Sequence, residues 1–136
     1  MSAEQIGLSL LGKSLKFLWE LVKPKFKLDV SGVFASIPDV GNKITIRNIG
    51  DKPIILMYWE LVWMKKKNIF QSDRFDGESP EDFDDVRIDS FGSYTLYFQE
   101  ADWFSTDHQF RKEQKLYINL WLAGEKHPIK RFVWKP

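Results

Sequence analysis

Ser105, Asp107 and His108 are the only residues whose types together suggest nucleophilic chemistry. A hydroxyl, an imidazole and a carboxylate can form a hydrolytic relay when the fold converges them. Here they are chain neighbours, and adjacency in sequence is not that geometry. No G-x-S-x-G turn and no phosphate-binding glycine loop accompanies them. The second chemical candidate is acidic. Asp73, Asp76, Glu78, Glu81, Asp82, Asp84, Asp85 and Asp89 crowd residues 73–89. Hard oxygen ligands suit calcium, but an EF-hand loop needs D-x-[DN]-x-[DN]-G, and Asp73-Arg74-Phe75-Asp76-Gly77-Glu78 does not supply it. Paired carboxylates also serve acid–base catalysis when apolar surroundings raise one pKa. Asp84 and Asp85 have no such surroundings in the sequence. With Gly77 and Pro80 inside, this stretch reads as a solvated acidic loop that attracts a basic partner.

The chain has no cysteine and only two histidines, His108 and His127. Thiolate metal sites, disulfides and cysteine nucleophiles are thereby excluded, and an imidazole zinc site would need carboxylates to complete it. The expectation is a protein that is not an enzyme and takes no metal or cofactor.

Aromatic residues are 15% of the 136, with 11 Phe, 6 Trp and 4 Tyr. Their placement is the most informative feature. Leu116, Ile118, Leu120 and Leu122 alternate with Tyr117, Asn119 and Trp121, and residues 129–134 return after Gly124-Glu125-Lys126-His127. If the turn opposes Leu122 to Ile129, Trp121 faces Lys130, Asn119 faces Phe132 and Tyr117 faces Trp134. One face of this hairpin then shows Tyr117, Trp121, Phe132 and Trp134, and the other is a core face that also receives Arg131. Four exposed rings would make a patch of several hundred Å², large for a monomer. The simplest cover is another part of the chain. The functional alternatives are a partner protein or sugar rings stacked on Trp121 and Trp134.

The elements that must position these residues follow from periodicity. Leu8, Leu11, Leu15, Leu18 and Val22 recur at helical spacing, so residues 4–23 read as an amphipathic helix that Pro24 ends. Lys13, Lys16, Phe17, Trp19 and Lys23 on that helix suit a membrane interface. The apolar stripe equally suits packing on the remaining domain or self-association. After Pro24 the period drops to two. Phe26-Leu28-Val30, Lys43–Arg47 and Tyr94–Phe98 alternate like half-buried strands, and Val86–Asp89 suggests a short one. Ile54–Met64 is apolar on both parities except for Glu60. It reads as a central strand buried on two sides, with length enough for a bulge.

About seven short strands joined by turns predict an antiparallel sandwich over residues 25–136, preceded by the helix over 1–24. Lys43-Ile44-Thr45-Ile46-Arg47-Asn48-Ile49-Gly50-Asp51-Lys52-Pro53-Ile54 resembles the strand–turn–strand step of bacterial immunoglobulin-like domains of the CARDB type. That resemblance spans residues 40–64 and implies an all-β, immunoglobulin-like sandwich with binding or structural roles. The Cys…Trp…Cys pattern of antibody domains is absent.

Charge and hydropathy narrow the partners. There are 20 Lys+Arg against 19 Asp+Glu, a net charge of +1. Neither half carries the basic stripe that nucleic acid requires. Lys13, Lys16 and Glu20 interrupt the most apolar stretch, so it spans no bilayer, and its charge order is not that of a secretory signal. The expectation is a cytoplasmic, non-enzymatic protein-interaction module. It would use Tyr117, Trp121, Phe132 and Trp134 together with the acidic loop. The alternatives are a peripheral membrane protein docked through the helix and a carbohydrate-binding sandwich. A homo-oligomer is compatible with each.

Overall fold

A computed structural model describes residues 26–136. The expected N-terminal helix, with Lys13, Lys16, Phe17, Trp19 and Lys23, lies outside the described residues. Within them the chain is all-β apart from one 3-10 turn, Glu100–Asp102. Eight strands follow in order: β1 Leu28–Val33, β2 Asn42–Asn48, β3 Ile54–Lys66, β4 Ser72–Glu78, β5 Val86–Ile88, β6 Ser93–Phe98, β7 Gln114–Leu122 and β8 Ile129–Trp134. They form two antiparallel sheets. One has the order β1-β2-β6; the other runs β4-β3-β7-β8, with β5 also pairing β3. β5 takes the first residues of β3 and β4 takes the last, so both share one flank.

The two sheets bury their facing residues against each other, as alternation demands. Ile44 and Ile46 of β2, Leu96 and Phe98 of β6, and Leu116, Ile118, Leu120 and Leu122 of β7 are all buried. Trp59, Trp63, Phe98 and Phe104 fill the centre, with Trp59 edge-on to Phe98 at 5.6 Å and Phe104 at 5.3 Å from Phe98.

β3 shows why both of its parities are apolar. A register shift between Leu56 and Tyr58, against β7, inserts one extra residue. Such a bulge exchanges the faces. Ile54 and Leu56 point inward before it, and Trp59, Leu61 and Trp63 point inward after it. Only one face therefore meets the core. The expectation of burial on two sides is corrected: Ile55 and Met57 are exposed, Tyr58, Glu60 and Met64 are half-buried, and Val62 alone of that face is sealed.

β4 is the strand that periodicity missed. Its residues, Ser72-Asp73-Arg74-Phe75-Asp76-Gly77-Glu78, show no alternation of polarity, because the strand flanks the sheet and all but Glu78 are exposed. Backbone pairing to β3 makes it a strand. Gly77 fits that pairing because a Cβ there would collide with the Leu61 carbonyl oxygen. Asp73, Asp76 and Glu78 thus belong to a strand and not to the acidic loop expected over residues 73–89.

Two buried asparagines at the ends of β2 hold the loops. Asn42 donates from Nδ2 to the Phe104 carbonyl at 2.9 Å and accepts from the Ala35 amide at 3.0 Å. Asn48 donates to the carbonyls of Lys52, at 2.7 Å, and Ile88, at 3.1 Å, and accepts from the Gly50 amide at 3.0 Å. The Asn48 backbone also bonds Phe91 and Gly92, so the β2–β3 and β5–β6 turns meet on one residue.

Candidate functional site

The outer faces of the two sheets differ sharply. On the three-stranded sheet the cross-strand rows are Asp29–Arg47–Ser93, Ser31–Thr45–Thr95 and Val33–Lys43–Tyr97. That surface is largely polar, and the Thr45 and Thr95 hydroxyls lie 3.1 Å apart. On the five-stranded sheet the rows are Tyr58–Trp121, Glu60–Asn119–Lys130, Val62–Tyr117–Phe132 and Met64–Lys115. Rings and a thioether dominate there.

The hairpin β7–β8 pairs Asn119 with Lys130 and Tyr117 with Phe132. The expected register, with Trp121 opposite Lys130, is corrected by two residues. Continuing the observed pairing would set Trp121 opposite Pro128, which has no N–H to donate, and the ladder stops at Leu120–Ile129. A shift of two preserves parity, so Tyr117, Trp121 and Phe132 keep the outer face they were assigned. Tyr117 and Phe132 meet edge to face at 5.8 Å, and Trp121 meets Tyr58 at 5.6 Å. Phe132 is 50% exposed.

Trp134 departs from this group. A register shift between Leu116 and Tyr117 places it opposite Leu116, and its ring lies 5.1 Å from that of Phe34, where β1 and β8 adjoin. The indoles of Trp121 and Trp134 are thus not presented side by side as a sugar platform would need. Arg131, which alternation placed toward the core, is half-buried on the terminal strand of the sheet, and its guanidinium turns back to the Lys130 carbonyl at 3.1 Å.

The aromatic face is polarised by charge. At one end the Tyr58 hydroxyl donates to the Pro80 carbonyl at 2.9 Å. The loop carrying Glu81, Asp82, Asp84 and Asp85 follows, all four exposed, with Phe83 packed on Tyr94 at 6.2 Å. In the middle Arg74 makes a two-pronged bond to Glu60 at 3.0 and 3.3 Å, and Asn119 donates to the same carboxylate at 3.3 Å. At the other end Lys130 lies 4.6 Å over the Tyr117 ring with its Nζ 3.1 Å from Met64 Sδ. A cleft of about 240 Å³ opens beside it, toward the β3–β4 hairpin.

Of the acidic candidates on β4, Asp76 has structural employment. Arg111, 2% exposed, donates to both carboxylate oxygens of Asp76 at 2.5 and 3.0 Å and to the Ser105 carbonyl at 2.8 Å. Its guanidinium is stacked 4.3 Å from the Trp63 ring and 4.6 Å from that of Phe110. Hydrogen bonding to Arg111, which outweighs partial burial, holds the Asp76 carboxyl below its ordinary value. Sequence reasoning missed Arg111, because a lone arginine between Phe110 and Lys112 carries no pattern.

Glu78 is shifted the other way, upward, by burial and then by the nearby charges of Asp102 and Asp76. Its ionised form is therefore disfavoured in the folded state, so it costs stability at neutral pH and that cost disappears as pH falls through the raised pKa. Glu78→Gln should raise stability at pH 7 by about 0.5 kcal/mol or less, because the half-buried carboxylate still meets water. The gain should vanish below the ordinary glutamate pKa of 4.5. Urea unfolding of both proteins at the two pH values checks this; destabilisation at pH 7 would contradict it.

Ser105, Asp107 and His108 do not form a relay. The Ser105 hydroxyl accepts from the Asp107 amide at 3.1 Å, and the Asp107 carboxylate accepts from the Gln109 amide at 2.9 Å, as turn-building side chains do. Among the described residues no three His, Cys, Asp or Glu side chains are grouped to hold a metal. No helix among them is long and apolar enough to cross a membrane.

Comparison with known proteins adds little to this geometry. No protein-family model matches the chain. No curated protein matches it either. Among solved structures it is similar to Spo0M, a sporulation control protein from Bacillus subtilis, at 12% identity and a TM-score of 0.36. The match covers 80% of this chain and 50% of that one, so the chain spans about half the length of Spo0M. A likeness this slight decides neither fold family nor function.

Proposed function

We propose that this domain is a non-catalytic interaction module that holds a partner protein on the outer face of its five-stranded sheet. The observation that carries the reading is the contrast between the two outer faces. One is mostly Asp, Ser, Thr, Lys and Arg, with Tyr97 the single ring in its rows; the other sets Tyr58, Trp121, Tyr117 and Phe132 in two edge-to-face pairs. Rings gathered in pairs on one sheet face form the kind of patch that partners bury. The acidic loop at residues 81–85 borders the patch and favours a partner that brings basic side chains to that end. An immunoglobulin-like sandwich of the CARDB type is part of the same proposal. It is supported by the Asn48-Ile49-Gly50 turn, whose asparagine bonds make that short step between strands rigid.

A photo-reactive phenylalanine analogue at position 132, compared with one at position 97 on the opposite face, tests the reading in cells. We expect a specific adduct from 132 and none from 97. Identical adducts from both, or none from either, would end it. An adduct within the chain to residues 1–25 would show that the chain covers its own face. One of twice the chain mass would make the partner a second copy.

A further inference from the structure

The β3–β4 hairpin ends in two large apolar side chains that no other described residue covers. Ile69 is 77% exposed and Phe70 is 88% exposed. The tip is not a loose loop. Asn68 Oδ1 accepts from the amides of Phe70, at 2.8 Å, and Gln71, at 2.9 Å, and the Lys67 amide donates to the Gln71 carbonyl at 3.0 Å. Asn68 thus braces a turn that points both side chains into solvent.

The cleft beneath this tip is cationic. Lys66, Lys115 and Lys130 line it together with Met64 and Tyr117. Alternation puts these side chains on one face, since Met64 pairs with Lys115 and Tyr117 lies two residues further along. None of the three lysines has a carboxylate partner among the described residues. The single acid lining the cleft, Glu113, is engaged by Lys65 at 3.0 Å.

A protruding apolar pair beside unneutralised lysines is what an anionic bilayer recognises. The apolar side chains enter the boundary between headgroups and acyl chains, and the ammonium groups meet lipid phosphates. Ile69 and Phe70 line the same cleft as the three lysines, so the apolar pair and the ammonium groups would meet one surface together. We propose that the β3–β4 hairpin is a membrane-docking element: Ile69 and Phe70 insert into an anionic phospholipid surface, and headgroup phosphates occupy the cleft of Lys66, Lys115 and Lys130. This contact leaves the Tyr58–Trp121 end of the aromatic face open, and it does not depend on a protein partner there.

The test uses the full chain and vesicles of phosphatidylcholine with or without about 30% phosphatidylserine, in about 0.15 M salt. Cosedimentation should occur with the anionic vesicles and fall about tenfold without phosphatidylserine. Ile69→Ser with Phe70→Ser should lose about tenfold, as should Lys115→Gln with Lys130→Gln, while the unfolding midpoint stays unchanged. Because the chain lacks cysteine, Phe70→Cys gives a single labelling site. An environment-sensitive dye there should brighten and shift to the blue on anionic vesicles, and the same dye at Tyr97→Cys should not. Absence of vesicle binding overturns the proposal. So does binding that survives both double variants, or binding lost only on Phe17→Ser with Trp19→Ser, which would assign the contact to the N-terminal segment. Inorganic phosphate that protects against unfolding without any vesicle binding would make the cleft a phosphate site and equally overturn it.

Discussion

Asp76→Asn is expected to lower the unfolding free energy by about 3 kcal/mol, although Asp76 itself is largely exposed. The cost falls on Arg111. Its side chain is 2% exposed against 61% for Asp76, so the substitution leaves a buried guanidinium without its counter-charge and turns an NH2 toward it where one carboxylate oxygen accepted. Removing one member of a buried pair strands the other charge, and such losses run to about 3–5 kcal/mol. The open side of Asp76 keeps the expectation at the low end. Arg111→Met should cost less, because it removes the buried charge and leaves a carboxylate that water can solvate. The double variant should resemble Arg111→Met alone. Urea unfolding of the three variants decides this; a change under about 0.5 kcal/mol for Asp76→Asn, the level of an ordinary surface substitution, would refute the clamp. The same pair sets a pH dependence. The Asp76 pKa is lowered in the folded state, so the pair's contribution is complete above the ordinary aspartate value of 3.8 and is lost as pH falls through the folded pKa. Asp76→Asn should remove that part of the acid sensitivity.

Asn48→Ala should cost about the same, near 3 kcal/mol. The side chain is 1% exposed and makes three hydrogen bonds, and truncation leaves the Ile88 and Lys52 carbonyls and the Gly50 amide without their partner. Each orphaned polar group costs roughly 1–3 kcal/mol when water cannot reach it. Asn48→Asp should not rescue. It keeps an acceptor for Gly50 but turns an oxygen toward two carbonyls. Asn42→Ala, which breaks two such bonds, provides the comparison and should cost about 2 kcal/mol. Thermal unfolding of the set gives the order. Asn48→Ala within error of the parent would mean that the turns hold without their hub.

Rings lie both inside the sandwich and on its surface. Trp59, Trp63, Phe98 and Phe104 already fill the space between the sheets. Phe70, Phe91, Phe110, Tyr97 and Phe132 are each at least half exposed among the described residues. Part of the surface is therefore apolar, and the two contacts proposed above extend in opposite directions from Tyr117, which belongs to both.

Alternation alone determined the strands that have one wet and one dry face. β2, β6 and β7 read correctly because aliphatic or Phe side chains recur at every second central position, and a two-residue error in hairpin register changes neither face. Tertiary structure decided what has no periodic signal. β4 is a strand by pairing, since an exposed flank needs no dry face. The bulge at Leu56–Tyr58 turned two apparent apolar faces of β3 into one core face and one half-wet one. Trp134 left the aromatic group through a second register shift and met Phe34. The Asp76–Arg111 clamp joins residues 35 apart in sequence, and the cationic cleft gathers β3, β7 and β8. Local polarity is written residue by residue along the chain. Which distant charges meet depends on how sheets close, and no short window of sequence contains that distance.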